Sequence, residues 1–490
     1  MRALYAIGTG PNRPNAIMSA AMGAPAELAA LFASQRAAFE RERYPSLAVR
    51  QDRLARLKSI VVAHEARFVE AVDRDFGGRS GHETRLAELY IVAAEVADAQ
   101  RHLARWMRAE RVSTPLHLKP ARARVERQPV GVVGVISPWN YPVQLALAPV
   151  VGALAAGNRV LLKPSELTPA TSELLRELVA AAFAEDELAV VLGDAAVGRA
   201  FTQLSFDHLF FTGSTAVGRA VARAAAENLT PVTLELGGKS PALVAPDADL
   251  ALAAPRLMAG KLLNAGQTCI APDYALVPEG SAEAFVTAVE RAAAALYPTY
   301  VANRDYTAIV NARHHARLAA LVADARAQGA RVVELGEAPS ADSRKMPPML
   351  VLGVTDAMAV MREEIFGPIL PVETYASVDD AIAKINSRPH PLAFYYFGRD
   401  GVRMGKVLAE TTAGGVTVND TIWHFAHKNL PFGGVGASGI GAYHGEASFL
   451  AFTHRKPVFV QPRLAATRLL YPPYGAAFER VLALLRKLNG

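Results

Sequence analysis

Apolar positions recur at helical spacing through residues 25–111, where Leu54, Leu57, Val61 and Val62 are set among Arg, Glu and Asp, and this predicts a helical lead-in. Residues 113–129 carry Pro115, Pro120 and Pro129 and alternate Arg122, Arg124 and Glu126 with Ala123, Val125 and Arg127, the pattern of an extended hairpin. After Pro129, short β-branched runs alternate with amphipathic stretches. VGVVGVIS precedes a helical stretch at 141–156, NRVLLK one at 168–184, AVVLG one at 195–204 and HLFFTGS one at 215–228, before the series closes on PVTLELGG. Strands separated by helices in this way predict a doubly wound parallel sheet, because parallel neighbours need long crossovers.

A second alternation starts at residue 240. PALVAP leads to a helix at 250–263, a loop containing Cys269, the strand DYALVP and a helix at 283–296, followed by the strands RVVEL, ILPVETY, LAFYYFG and GGVTVND. The fold class is therefore α/β, with two doubly wound parallel domains and a small element left over for assembly. The glycine-rich stretch 432–441 is read as too flexible for a core and as closing over a site. Residues 457–461 are strand-like and 478–488 form an amphipathic helix.

Length and charge narrow this picture. A chain of 490 residues exceeds what one hydrophobic core serves. The net charge of +6 arises from Lys and Arg interleaved with Asp and Glu, so no nucleic-acid partner is expected; the densest basic stretch, 119–127, lacks aromatics to stack bases. The longest apolar run, 145–157, contains Pro149 and is too short to span a bilayer, so no membrane anchor is expected. The first residues include Arg2 and Arg13 without the apolar core of a secretory signal. A single cysteine excludes an intrachain disulfide and a multi-thiolate zinc site, and cytoplasmic residence is the expectation.

That cysteine, Cys269, lies in NAGQTCIAPDY. A lone thiol is more often a packed structural residue, yet the Gly-Gln turn before it predicts a loop position where sulfur can be reached, as a nucleophile requires. In PVTLELGG, Leu234 and Leu236 share one strand face and Glu235 projects from the other, at the carboxyl end of a parallel strand where such sheets bind ligands. An ordinary ion pair is the alternative for Glu235. No G-x-G-x-x-G follows any strand; Gly213, Ser214, Thr215 and Gly218 offer a shorter turn at a helix start that could face a phosphate. His424 and His427 have no carboxylate or cysteine at zinc spacing, so no metal is expected. His314 and His315 lie on a helical stretch read as facing solvent.

GQTC, LELGGK, PWNYP, KPSE, FTGS and EEIFGP occur together in this chain, which resembles the aldehyde dehydrogenase superfamily over roughly residues 28–456. GQTCIAPDY, LPFGGVGASGIGAYHG and YPTYVANRDYTAIVNARHHARL resemble the class 3 branch, and within it the bacterial coniferyl-aldehyde dehydrogenases. The resemblance implies oxidation of an aldehyde, aromatic or medium-chain, to the acid with NAD, NADP remaining open. It implies Cys269 as nucleophile, Glu235 as the base that activates water, and Asn140 with the Cys269 amide as oxyanion donors. It assigns Lys163 and Glu166 to the adenosine ribose and Glu364 to the nicotinamide ribose, with Phe366 beside the ring. Pro138, Trp139, Gly213, Ser214, Thr215, Gly218 and Leu236 complete the implied cofactor site, and Trp423 and Phe425 sit where the branch lines its aldehyde pocket.

The same resemblance implies a homodimer, with the hairpin near Arg122 and the strand near Val458 as candidates for pairing between subunits. The expected division is a disordered 1–24, a cofactor-binding domain at 25–238, a catalytic domain at 239–426, and a return to the cofactor domain with an oligomerisation tail at 427–490. Transfer of the acyl group to coenzyme A, or a non-catalytic binding role, are the competing readings; the presence of Glu235, Cys269 and Asn140 counts against both.

Overall fold

The structure, a computed structural model, describes residues 24–337 and 343–489; the disorder expected over 1–24 falls, up to residue 23, outside them. The lead-in is helical, through Ala24–Arg41, Leu47–Ala63, Glu65–Phe76 and Ile91–Trp106. Ser46 starts the second of these by accepting the Val49 amide at 3.3 Å, and Gly77 at φ 65° ends the third. Leu54, Leu57 and Val61 are buried as the spacing predicted, but Val62 is 59% exposed: one residue beyond Val61, it has rotated out of the apolar stripe.

The alternation after Pro129 builds a six-stranded sheet in the order Gly439–Ile440, Val232–Glu235, His208–Thr212, Val132–Ile136, Arg159–Lys163, Leu188–Val190. The last five are parallel. The chain starts in the middle, winds to one edge and returns to wind to the other, so the point of reversal lies between Val132–Ile136 and His208–Thr212. The apolar run mistakable for a membrane segment is the helix Gln144–Ala156, every residue of which is buried. Gly152 lets it approach Ser448, where a Cβ would overlap the serine side chain.

The second alternation forms a seven-stranded sheet, Arg331–Glu334, Met349–Leu352, Ile369–Tyr375, Tyr274–Pro278, Pro241–Val244, Ala393–Phe397, Gly415–Val418, parallel except at the first pair. One expectation changes. The glycine-rich stretch is not a free flap: Gly439 and Ile440 pair antiparallel with Glu235 and Leu234, and bare backbone at Gly434 and Gly439 is what permits so close an approach. The hairpin and the late strand meet within the chain as well. Glu110–Val112, Arg122–Pro129 and Thr453–Val460 form one antiparallel sheet in which Val458 lies opposite Arg124, so the two candidates pair with each other along one edge while the other edge of Thr453–Val460 stays unpaired among the described residues.

Candidate active site

Ser137 to Asn140 follow the strand Val132–Ile136, Lys163 ends Arg159–Lys163, Gly213 follows His208–Thr212 and Glu235 ends Val232–Glu235, so all lie at carboxyl ends of the first sheet. Facing them are segments that enter the second sheet at its amino ends: Cys269 before Tyr274–Pro278 and Glu364 to Phe366 before Ile369–Tyr375. The cleft between two sheets is thus lined from both sides, the position in which α/β sheets bind ligands.

Cys269 is half-buried and follows a short turn in which Asn264, Ala265 and Gly266 have φ of 52°, 52° and 76°. A left-handed alanine costs about 1–2 kcal/mol, so the turn must be held from outside. The Glu83 carboxylate accepts the Asn264 amide at 3.1 Å and the Thr307 hydroxyl at 3.0 Å. Gln267 donates to Asn264 O and Ala308 O, each at 3.0 Å, and accepts the Val310 amide at 2.9 Å. Asn140 joins the same lock: its Nδ2 donates to Gln267 O at 3.1 Å, and its own carbonyl accepts from Asn264 Nδ2 at 2.8 Å and Arg79 at 3.0 Å. Arg79 pairs with Glu88 at 3.1 Å with both side chains fully buried, and Glu88 accepts the Val143 and Gln144 amides at the start of the long buried helix. Removing one partner of such a pair costs about 3–5 kcal/mol, so this network fixes both PWNYP and the Cys269 turn.

Three acidic groups converge here. Glu235 is 3% exposed and neither carboxylate oxygen has a hydrogen-bond partner among the described residues; burial holds it well above the usual carboxylate range. Burial, then Asp273, raises Glu364 to about 8, the Gly238 amide working against both. Burial, with Glu364 and Glu235 adding, pushes the Cys269 thiol up to about 12. The resting site therefore favours neutral groups, and a cation brought into it would favour the thiolate. Gly237 leaves room for Glu364, since a Cβ there would overlap its carboxylate.

The model of the "Aldehyde dehydrogenase family" matches residues 9–458. The chain belongs to this family. A protein of Pseudomonas aeruginosa named "Probable coniferyl aldehyde dehydrogenase" is 50% identical over 456 residues, 93% of this chain and 95% of its own. The substrate-bound AldH of Staphylococcus aureus superposes with a TM-score of 0.90 at 39% identity, covering 94% of this chain and 99% of that one. An aldehyde dehydrogenase of Mycobacterium tuberculosis complexed with NAD+ gives 0.80 at 30% identity, over 90% and 91% of the two chains. The protein is an NAD(P)-dependent aldehyde dehydrogenase that oxidises aldehydes to acids.

The remaining residues singled out in this dehydrogenase have the following surroundings. Lys163, which could have been a surface charge, is buried and reaches Glu166 at 3.2 Å. Ser214 caps the helix Thr215–Glu227 by accepting the Val217 amide at 3.4 Å, and Gly218 packs against Leu236 where a Cβ would overlap. Pro138 and Trp139 are half-buried; the Trp139 ring lies 5.4 Å from Phe366. His314 is a correction: its ring stands 5.0 Å from Trp139 and burial lowers it to about 4, because the helix Ala312–Ala327 turns this face to the cleft. His315 is half-buried too. Trp423 is 63% exposed, whereas Phe425 packs on Phe432 and His444 at 4.9 and 4.7 Å.

Sequence reasoning missed the residues that tie the motifs together. Lys239 of LELGGK pairs with Asp273 of APDY and donates to Val360 O and Glu363 O, each at 2.9 Å. Asp273 also accepts the Ile365 amide at 2.9 Å, so one ion pair anchors the segment carrying Glu364 and Phe366. Their presence inside the quoted motifs was the available signal.

Proposed function

We propose that Cys269 attacks the aldehyde carbon and that Glu235 deprotonates the water that later releases the acid. The observation that carries this reading is Glu235 itself, a buried carboxylate with no hydrogen-bond partner among the described residues, charged at a cost and within electrostatic reach of the Cys269 sulfur. Attack converts the carbonyl oxygen to an oxyanion, for which the second Nδ2 hydrogen of Asn140 and the Cys269 amide are the donors. Loss of hydride leaves a thioester on Cys269; water, with Glu235 holding its proton at a carboxylate oxygen, cleaves the C–S bond.

NAD(P) fits the donor set of the cleft. The N-terminal amides after Gly213, Ser214 and Thr215 would receive the pyrophosphate, with Gly218 and Leu236 forming the packed helix-to-strand contact beside it. Lys163 and Glu166 would hold the adenosine ribose and Glu364 the nicotinamide ribose, with Pro138, Trp139 and Phe366 as walls. When bound, the cofactor supplies a cationic two-electron acceptor for the hydride. Glu166 would repel a 2′-phosphate, which favours NAD.

The named function of the Pseudomonas relative and the aromatic side chains of Trp423 and Phe425 support an aromatic aldehyde, coniferyl aldehyde among them, as substrate. The single cysteine fits a reducing compartment such as the cytoplasm. Purified protein with NAD or NADP and a panel of aldehydes is expected to accumulate reduced cofactor without further additions; turnover that required coenzyme A would overturn the hydrolytic reading.

A homodimer is supported by the apolar surface around the three-stranded sheet, where Leu116 is 71%, Phe459 50%, Leu464 82% and Tyr474 67% exposed. Paired within the chain, that sheet still has an outer edge along Thr453–Val460. Sedimentation at micromolar concentration is expected to give twice the chain mass, and a monomer would remove this proposal.

A further inference from the structure

Resting on the reading of Cys269 as the nucleophile, we propose that Tyr141 and Tyr395 are positioning residues for its sulfur, one hydroxyl gripping the residue before Cys269 and the other the residue after it. Cys269 and Ile270 are the central pair of a turn closed by the Ala271 amide on Thr268 O at 2.9 Å. The Tyr141 hydroxyl lies 2.7 Å from Thr268 Oγ1. Thr268 turns its own hydrogen toward Leu263 O at 3.4 Å, so Tyr141 is the donor of the pair. On the far side the Tyr395 hydroxyl donates to Ile270 O.

Each hydroxyl comes from a different wall of the cleft. Tyr141, 6% exposed, directly follows Asn140, whose Nδ2 donates to Gln267 O at 3.1 Å. Consecutive residues therefore hold consecutive residues, Asn140 on Gln267 and Tyr141 on Thr268, and the proposed oxyanion donor shares one frame with the sulfur. The Tyr141 carbonyl accepts the Leu145 amide at 3.0 Å, and the Arg79 guanidinium lies 4.8 Å from the centre of its ring. Tyr395, fully buried, stands in the middle of Ala393–Phe397 between Ala242 and Thr417 of the neighbouring strands.

Neither hydroxyl is needed to close the turn, which has its own backbone bond, or to hold the left-handed residues before it, which Glu83 and Gln267 fix. What the two hydroxyls add is a fixed place for the residue between them. A nucleophile must come within about 3–3.5 Å of the carbon it attacks, and a displacement of about 1 Å costs about 10²-fold in rate. Gripped at Thr268 from the first sheet and at Ile270 from the second, Cys269 meets the aldehyde from a set position, and the sulfur–carbon bond forms without a prior search by the turn.

The test uses the full-length enzyme, in which Cys269 is the single cysteine, so a thiol reagent reports this sulfur alone. With saturating NAD and a turned-over aldehyde in stopped flow, Tyr141→Phe and Tyr395→Phe are expected to slow the first turnover of reduced cofactor about tenfold. Alkylation by iodoacetamide should meanwhile run at the wild-type rate or faster, because a loosened turn exposes the half-buried sulfur. Hydroxyls that acted on thiol acidity would move both rates together. Thr268→Val should slow the first turnover as Tyr141→Phe does, Thr268→Ser should recover it, and the double variant Tyr141→Phe/Thr268→Val should be no slower than either alone. Melting temperatures should fall by about 4 °C or less. A wild-type first turnover in either phenylalanine variant, a parallel fall of both rates, additive slowing in the double variant, or loss of folded protein would each overturn the positioning role. Full turnover in Cys269→Ala would instead remove the nucleophile assignment beneath it.

Discussion

Cys269→Ala is expected to abolish aldehyde oxidation, lowering kcat by about 10⁴-fold or more, because in the proposed mechanism its sulfur forms the covalent intermediate from which hydride departs. In the proposed roles Asn140 would still polarise a carbonyl and Glu235 would still activate water, but an aldehyde hydrate formed without the sulfur would have no anchor beside the cofactor. The half-buried sulfur contributes little packing, so unfolding stability should change by about 1 kcal/mol or less. Titration with NAD followed by tryptophan fluorescence, with Trp139 in the cofactor cleft, should give the wild-type affinity. Full turnover in the variant would exclude the covalent path.

Why the sulfur needs such exact surroundings explains much of what the chain reveals only when folded. The strand-and-helix alternation after Pro129 was legible because parallel strands buried on both faces read as continuous apolar runs, and Glu235 was legible because a strand's period of two turns it away from Leu234 and Leu236. Charged residues in the lead-in were not. Arg79, Glu83 and Glu88 look in sequence like a solvated helix face, and only the approach of the PWNYP segment and the Cys269 turn buries them. His314 was misread for the same reason: a histidine on an amphipathic helix does not disclose that Trp139 will cover it.

The late strand and hairpin were legible only in part. Both edges were visible, and an exposed edge does need a partner, but sequence offers no distance between Arg122–Pro129 and Thr453–Val460. That separation of more than three hundred residues closes into one ladder.

Glu235→Gln is expected to separate the two halves of the reaction, preserving the first release of reduced cofactor and lowering steady turnover by about 10²–10⁴-fold. Glutamine keeps the volume of the side chain but cannot take a proton from water, so the thioester should persist on Cys269 and appear in intact-mass spectra as an acyl adduct. In the wild type, deacylation should rise with pH through the elevated Glu235 value rather than near the ordinary carboxylate value of about 4.3; in the variant that limb should vanish. Stability gives an independent sign. A carboxyl whose folded value is raised binds its proton more tightly in the native state, so wild-type stability from this group is full below the unfolded value and declines as pH rises toward the folded one. Glutamine has no such decline, and the variant should melt at a higher temperature than wild type at neutral pH, the difference closing in acid. Equal steady rates would remove Glu235 as base, whereas slow turnover with a lower melting temperature at every pH would mean that its buried carboxyl is held for structure.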